Sequence, residues 1–131
     1  VGAVLHDPST QFVLVATPQA DAVAEAAWFT GQLADRGLTV AATVVNRVQP
    51  AFPTDTDPRD LAVASEAAGA SDAAALWRNL AALQAAAATE RRELAVLAGD
   101  GRPPLVEVPR LATDVHDAEA LDRLAVSLFG G

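Results

Sequence analysis

The chain has 131 residues and a formal net charge of −8, from 17 acidic and 9 basic side chains, and it contains no cysteine. This length suits one domain or part of one, and a hydrophobic content of 51% is enough for a packed core. The lack of cysteine excludes disulfides, thiolate catalysis and cysteine-ligated zinc. The acidic charge argues against nucleic acid as a partner, because its phosphates would be repelled. No apolar run in the sequence is long enough to predict a membrane span.

The first third of the chain has the pattern of a strand, a helix and a second strand. Residues 12–17 form a short apolar run that predicts a parallel strand buried on both faces. Pro18 suits the first turn of a helix over about 19–36, with Gly37 at its C-terminal cap. The inward face of this helix is predicted to carry Ala22, Ala26, Phe29 and Leu33. Residues 39–46 are rich in β-branched side chains and predict the second strand, joined to the first by a right-handed crossover.

The middle of the chain predicts two helices. Asp57 and Pro58 suit the N-cap and first residue of a helix that runs to about Ala68. Gly69 breaks this helix, and Ser71 is expected to cap a longer one. Along the longer helix a seven-residue seam is formed by Ala73, Leu76, Leu80, Leu83, Ala87, Leu94 and Leu97. The seam fits either a coiled coil or a helix packed on its own domain, and its few, alanine-rich heptads favour the second.

The last third predicts one more strand and one more helix. Residues 99–104 form a turn cluster, and the strand that follows over 105–108 ends at Pro109. Asp117 suits the cap of a final helix whose inward residues would be Leu121, Leu124, Ala125 and Leu128. The pattern predicts an α/β fold with three layers, a parallel sheet of about three strands flanked by helices. Three strands are few for such a sheet, so the topology suggests a missing N-terminal half, and the start at Val1 agrees with a fragment.

The sequence motifs argue against a phosphate-binding loop and against a calcium-binding loop. Neither G-x-x-x-x-G-K-[S/T] nor G-x-G-x-x-G occurs, so the chain has no phosphate-binding loop of its own. The run from Asp55 to Glu66 has the length of a calcium loop. However, Arg59 and Asp60 stand where that loop needs an oxygen ligand and a glycine, so helix capping is the better interpretation.

The histidines and tryptophans give no strong functional signal. His6 and His116 each stand beside an aspartate, but no nucleophile motif accompanies them, and polar positions at helix ends explain both. Trp28 and Trp77 fall in predicted helices, where large aromatic side chains indicate core or interface.

The carboxyl ends of the predicted strands are the remaining candidate site. In open α/β sheets ligands bind at this edge, which here carries 17–19, Asn46 with Arg47, and 109–111. The carboxamide of Asn46 offers the donor and acceptor pair that adenine N7 and N6 require, and a proline-containing loop could add backbone groups. From the residues alone, an ordinary turn residue is the favoured interpretation of Asn46, and an adenine contact is the alternative.

Two segments together resemble a known family. The run TQFVLVATP at 10–18, then a helix, then VVNRV at 44–48 with Pro50 close behind, resembles the ArsA-like anion-transporting ATPases. This deviant P-loop family includes the tail-anchored-protein targeting ATPases. Residues 108–111 and 114–117, before a leucine-containing helix, are similar to its C-terminal segment.

The resemblance implies that residues 1–131 are the C-terminal part of a P-loop ATPase domain. In that arrangement 12–48 is a βαβ unit, 58–98 is a helical excursion, and 104–131 is the final strand and helix.

The resemblance also implies a site and partners. Asn46 would contact the adenine of ATP, while Pro109, Arg110 and Leu111 would complete the base pocket with backbone groups. Mg²⁺ and every catalytic residue would come from the N-terminal P-loop portion of the same protein, so this chain alone is expected to be inactive. The resemblance further implies a cytoplasmic protein and a homo- or heterodimer of the full-length ATPase.

The sequence departs from the family pattern in two places. It has no Cys-x-x-Cys pair, which argues against a zinc-linked dimer, and Gln19 stands where the family usually has glutamate. A different hypothesis is a small acidic α/β interaction module with no nucleotide role, which docks a partner through its alanine- and leucine-rich helices.

Overall fold

A computed structural model describes residues 2–112 and 118–130 of the chain. Its helices and strands, in chain order, are α1 (Gly2–Leu5), β1 (Phe12–Ala16), α2 (Ala20–Asp35), β2 (Val40–Val48), α3 (Pro58–Ala67), α4 (Ser71–Leu94), β3 (Leu105–Pro109) and α5 (Ala118–Phe129). The strands form a parallel sheet in the order β1-β2-β3. The predicted α/β fold with a parallel, helix-flanked sheet is therefore confirmed. The chain divides into two compact units, one made of residues up to 48 and from 90 onward, the other of 49–89.

In the first unit, α2 connects β1 to β2 much as its sequence predicts. Gln19 is the N-cap of α2, so Pro18 precedes the helix instead of lying in its first turn. Gly37 follows the C-cap with a φ of +72°, a backbone conformation that glycine adopts without the Cβ clash of other residues. The termination of the helix at this glycine is confirmed.

The core of this unit combines residues of α2, of β2 and of the segment 94–97, which includes the last residue of α4 and the short 3-10 turn after it. It consists of Val23, Val45, Val48, Leu94 and Leu97. The predicted inward face of α2 is correct for Leu33, which is buried, but wrong for Phe29, which is 42% exposed. Val23 is the residue of α2 that belongs to the buried cluster instead. It lies six residues before Phe29, so the two side chains are about 120° apart around the helix and do not face the same neighbours.

β1 is not buried on both faces, and that prediction is wrong. Phe12, Leu14 and Ala16 are half-buried, but the alternate residues Val13 and Val15 are 54% and 70% exposed. The reason is position: β1 is an edge strand paired only with β2 within the described residues. Its apolar sequence resembles that of a central strand, but the neighbouring elements cover only one of its faces.

The second unit contains α3 and most of α4. Asp57 is the N-cap of α3 and Pro58 is its first residue, as predicted. Gly69 has a φ of +76° and separates the two helices. Ser71 is the first residue of α4 and not its cap, since the Ala70 carbonyl already accepts the first helical hydrogen bond, from the Ala74 N–H.

The seven-residue seam predicted along α4 is only half correct. Ala87, Leu94 and Leu97 are buried, whereas Leu76 is 69% and Leu83 is 42% exposed. An α-helix drifts by about 20° per heptad against a strict seven-residue repeat, so positions that match at one end diverge at the other. Towards its N-terminus the buried face of α4 accordingly passes through Ala74.

The final strand and helix are present. β3 ends at Pro109, as predicted, and α5 packs along it. Leu121 is 57% exposed and Ala125 is also exposed, so their predicted inward orientation is wrong. The two residues are four apart and share one side of α5, and this side faces solvent. The predicted cap Asp117, and the side chains of Leu124 and Leu128, lie outside the described residues. Across the described ranges, no helix combines the length and apolar character that crossing a membrane requires.

Candidate functional site

The carboxyl ends of all three strands meet at one edge of the sheet. Ala16, the last residue of β1, is paired with Val45 of β2, and Val45 is paired with Glu107 of β3. Because the strands are parallel and in this register, the segments that follow them emerge side by side. The structure therefore brings the predicted site residues Asn46, Pro109, Arg110 and Leu111 to the same edge.

Asn46 lies within β2, and its predicted position at the end of a 39–46 strand is wrong. β2 continues to Val48, but its pairing with β3 shifts between Val45 and Val48. Three residue steps on β2 there correspond to two on β3, which defines a β-bulge of one extra residue. Asn46 and Arg47, at the bulge, are both exposed.

The carboxamide of Asn46 is oriented by a short local contact. Its Oδ1 atom accepts a hydrogen bond of 2.9 Å from the backbone N–H of Arg47. An amide oxygen has two lone pairs and the amide nitrogen carries two N–H donors. One acceptor site and both donors of Asn46 therefore remain for a ligand, which is the pair that an adenine edge requires.

The segment after β3 is held against the end of β2. The backbone N–H of Arg110 donates a hydrogen bond of 2.8 Å to the carbonyl of Val48. This donor is used by the sheet and is not available to a base, so any backbone contact from 109–111 must use other groups. Pro109 and Leu111 are half-buried, whereas Arg110 is exposed.

Arg47 is a feature of this edge that sequence reasoning missed. Its φ is +63°, the only positive value among the described residues that are not glycine. Neither Arg47 nor Arg110 takes part in any of the ion pairs found among the described residues. The dipeptide Asn46-Arg47 gives no sequence signal of a bulge, because a bulge depends on the partner strand.

The possible calcium loop is a helix cap, in agreement with the sequence interpretation. The Asp57 carboxylate accepts a 2.8 Å hydrogen bond from the Arg59 backbone N–H and forms an ion pair of 2.7 Å with its guanidinium. The Arg59 side chain, followed by its N–H, lowers the pKa of Asp57 from the ordinary 3.8. Within the described part of the chain, no three His, Cys, Asp or Glu side chains are grouped to hold a metal ion.

The remaining candidates from the sequence do not form a site. His6 follows α1 and contacts backbone carbonyls of Gly2 and Arg36, at 3.0 and 3.3 Å, as expected of a polar residue at a helix end. His116 lies outside the described residues. Trp28 is 63% exposed and so lies on the surface, not in the core.

A groove in the second unit offers little for a charged ligand. It has a volume of about 520 Å³ and lies between α3 and α4. Its charged side chains are already paired, since Arg78 is 3.2 Å from Glu66 and Arg59 is bound to Asp57. The edge at Asn46 therefore remains the better candidate for a polar ligand.

Comparison with known proteins leaves the family open: no protein-family model and no curated protein matches the chain.

Proposed function

We propose that the chain forms the adenine-binding part of an ArsA-like, ATP-hydrolysing protein. The observation that supports this most directly is the shared edge at which Asn46 and the 109–111 segment lie side by side. A parallel α/β sheet binds ligands at this edge, and the free donors and acceptor of Asn46 suit N7 and N6 of adenine. The related proposal for the fold is that this sheet is the C-terminal part of a P-loop NTPase sheet.

In this proposal the chain recognises the base and contributes no catalytic group. Asn46 hydrogen-bonds the edge of the purine, and the half-buried Pro109 and Leu111 offer apolar surface beside it. The phosphates, Mg²⁺ and the groups that stabilise phosphoryl transfer would be bound by the P-loop portion of the same protein, its expected partner. A dimer of the full-length ATPase and a cytoplasmic location stay predictions.

The test is a binding titration of the chain with adenosine, which has no phosphate and therefore reports the base site alone. We expect weak binding with a Kd on the order of 1 mM, about 4 kcal/mol of binding free energy. Asn46→Ala should weaken adenosine binding roughly tenfold, because two hydrogen bonds to the base are lost. Guanosine should bind more weakly than adenosine, since guanine presents two acceptors, N7 and O6, where adenine presents the N7 acceptor and the N6 donor, and the Asn46 oxygen then has no donor to accept from.

The matched control is Asn79→Ala. Asn79 is an exposed asparagine on α4. Asn79→Ala therefore makes the same chemical change as Asn46→Ala but leaves the carboxyl ends of the strands unaltered. Adenosine binding should stay unchanged in this variant. Equal binding by Asn46→Ala and the unaltered chain would contradict the proposal, and so would ATP hydrolysis by the pure chain.

The alternative, an interaction module without a nucleotide role, also has an observation in its favour. Val63 on α3 and Leu76 and Leu83 on α4 are all large apolar side chains at least 42% exposed. Exposed apolar residues of this kind are common at protein interfaces. If the chain binds no adenosine, and replacing Leu76 and Leu83 with serine abolishes binding of a partner protein, this alternative is the better account.

A further inference from the structure

The backbone at Arg47 is unusual for an arginine. Its φ of +63° lies in the left-handed region, where a side chain other than glycine or asparagine is disfavoured by its Cβ. Such a conformation persists only when the surrounding structure imposes it. The two residues that flank the bulge are both buried, and their packing can supply such a constraint.

Val45 and Val48 both belong to the buried core of the first unit, with exposed fractions of 0% and 3%. Side chains of a regular strand alternate between faces, so residues three apart would point to opposite sides. The extra residue of the bulge resets this alternation, and both valines reach the same core. The residues between them, Asn46 and Arg47, are consequently both exposed.

The bulge also fixes the side chain of Asn46. The Arg47 N–H donates a hydrogen bond of 2.9 Å to Asn46 Oδ1. This contact fills one acceptor site of the carboxamide and leaves its two N–H donors and second acceptor site free. Bulges are rare in parallel pairs and occur preferentially beside functional sites, where they redirect a side chain.

We propose that Arg47 is a positioning residue: its left-handed backbone, not its guanidinium, presents the Asn46 carboxamide to the base. This inference rests on the proposed function, since it assigns a specificity role at the same site. It predicts that the residue type at position 47 matters through the backbone conformation that it allows.

The experiment compares Arg47→Gly with Arg47→Val in the full chain, by adenosine titration and by the NMR signals of the Asn46 side-chain NH₂ group without ligand. Glycine adopts positive φ readily, so Arg47→Gly should bind adenosine within about twofold of the unaltered chain. Valine is β-branched and strongly resists positive φ, so Arg47→Val should lose at least about fivefold and shift the Asn46 signals.

A matched control and a second tolerant variant keep the result interpretable. Arg102→Val makes the same chemical change at an exposed arginine whose φ is not positive, and it should leave adenosine binding unchanged. If Arg47→Val fails to fold, Arg47→Thr replaces it in the comparison, because threonine is also β-branched and resists positive φ but is polar enough for an exposed position. Arg47→Asn is the second tolerant variant and should bind like Arg47→Gly, because asparagine tolerates the left-handed region. Arg47→Lys, which keeps the charge, should also bind normally.

Three results would overturn the inference. The first is normal adenosine binding by Arg47→Val. The second is weaker adenosine binding by both Arg47→Gly and Arg47→Asn while Arg47→Lys binds normally, since this pattern assigns the role to the charge of the side chain. The third is an unchanged Asn46 NH₂ spectrum in Arg47→Val. The NMR spectra need no ligand, so they decide whether Arg47 positions Asn46 even if the unaltered chain binds no adenosine. An absence of adenosine binding would count against the proposed function and not against the positioning role.

Discussion

β1 and β2 have similar sequences but very different surroundings. β1 is Phe-Val-Leu-Val-Ala and β2 begins Val-Ala-Ala-Thr-Val-Val, and both apolar runs predict buried parallel strands. β2 lies between two neighbours and buries Val40, Val45 and Val48, whereas β1 leaves Val13 and Val15 more than half exposed. The comparison teaches that apolar composition identifies a strand, while the number of covered faces depends on what the chain packs beside it.

The largest expected effect comes from the core that packs on β2. Leu94→Ala removes a side chain that is 2% exposed and belongs to the same buried cluster as Val45 and Val48, so it should lower the free energy of unfolding by about 2–5 kcal/mol. The matched change on the same helix, Leu76→Ala, removes a side chain that is 69% exposed and should cost less than about 0.5 kcal/mol. Urea denaturation followed by circular dichroism measures both. Equal losses would show that the buried face of α4 is assigned incorrectly.

A direct comparison of the two strands uses one substitution in each. Val45→Ala, at a fully buried position of β2, should cost about 2 kcal/mol. Val15→Ala, at a position 70% exposed on β1, should cost less than about 0.5 kcal/mol. The same urea titration decides the comparison. A large loss in Val15→Ala would mean that β1 has a second covered face after all.

Local signals were sufficient for most boundaries of the fold. Asp57-Pro58 starts α3, Gly37 follows α2, and Pro109 ends β3, because capping and proline geometry act within a few residues. The side chains that face inward were harder to predict. Phe29 and Leu76 fit an apolar periodicity, yet they are exposed because tertiary packing selects Val23 and Ala74 instead.

The candidate site shows the same division between local and long-range information. Asn46 and 109–111 could be singled out because each follows an apolar run, and parallel strands bring such ends together. The bulge at Arg47 could not be predicted, since it arises from the register of β2 against β3 and from the burial of both Val45 and Val48. Only the pairing of distant segments determines that register.

The smallest expected effect concerns the exposed contact between Asp57 and Arg59, which lies outside the sheet. Its contribution to stability is a baseline for comparison with the buried positions. The pKa of Asp57 is lowered by Arg59, so its folded value lies below the unfolded value of about 3.8. The carboxylate therefore stabilises α3 above pH 3.8, and this contribution is lost as the pH falls through the folded pKa. Asp57→Asn keeps a capping oxygen but has no group to titrate, and should flatten this part of the acid unfolding curve.

Amide hydrogen exchange of α3 between pH 2.5 and 5 measures the effect, after correction for the intrinsic exchange rate. Asp57→Ala removes the cap at every pH and should speed exchange at the start of α3 throughout. An Asp57→Asn chain whose exchange depends on pH as the unaltered chain does would refute the assigned role of the carboxylate.

The most direct test of the proposed function is an NMR map of the unaltered chain during titration with adenosine. We predict that the largest shifts fall on Asn46, Arg47, Arg110 and Leu111, at the carboxyl ends of β2 and β3, and that guanosine causes smaller ones. Shifts that cluster elsewhere, such as on α3 and α4, or no saturable shift at all, would contradict the account.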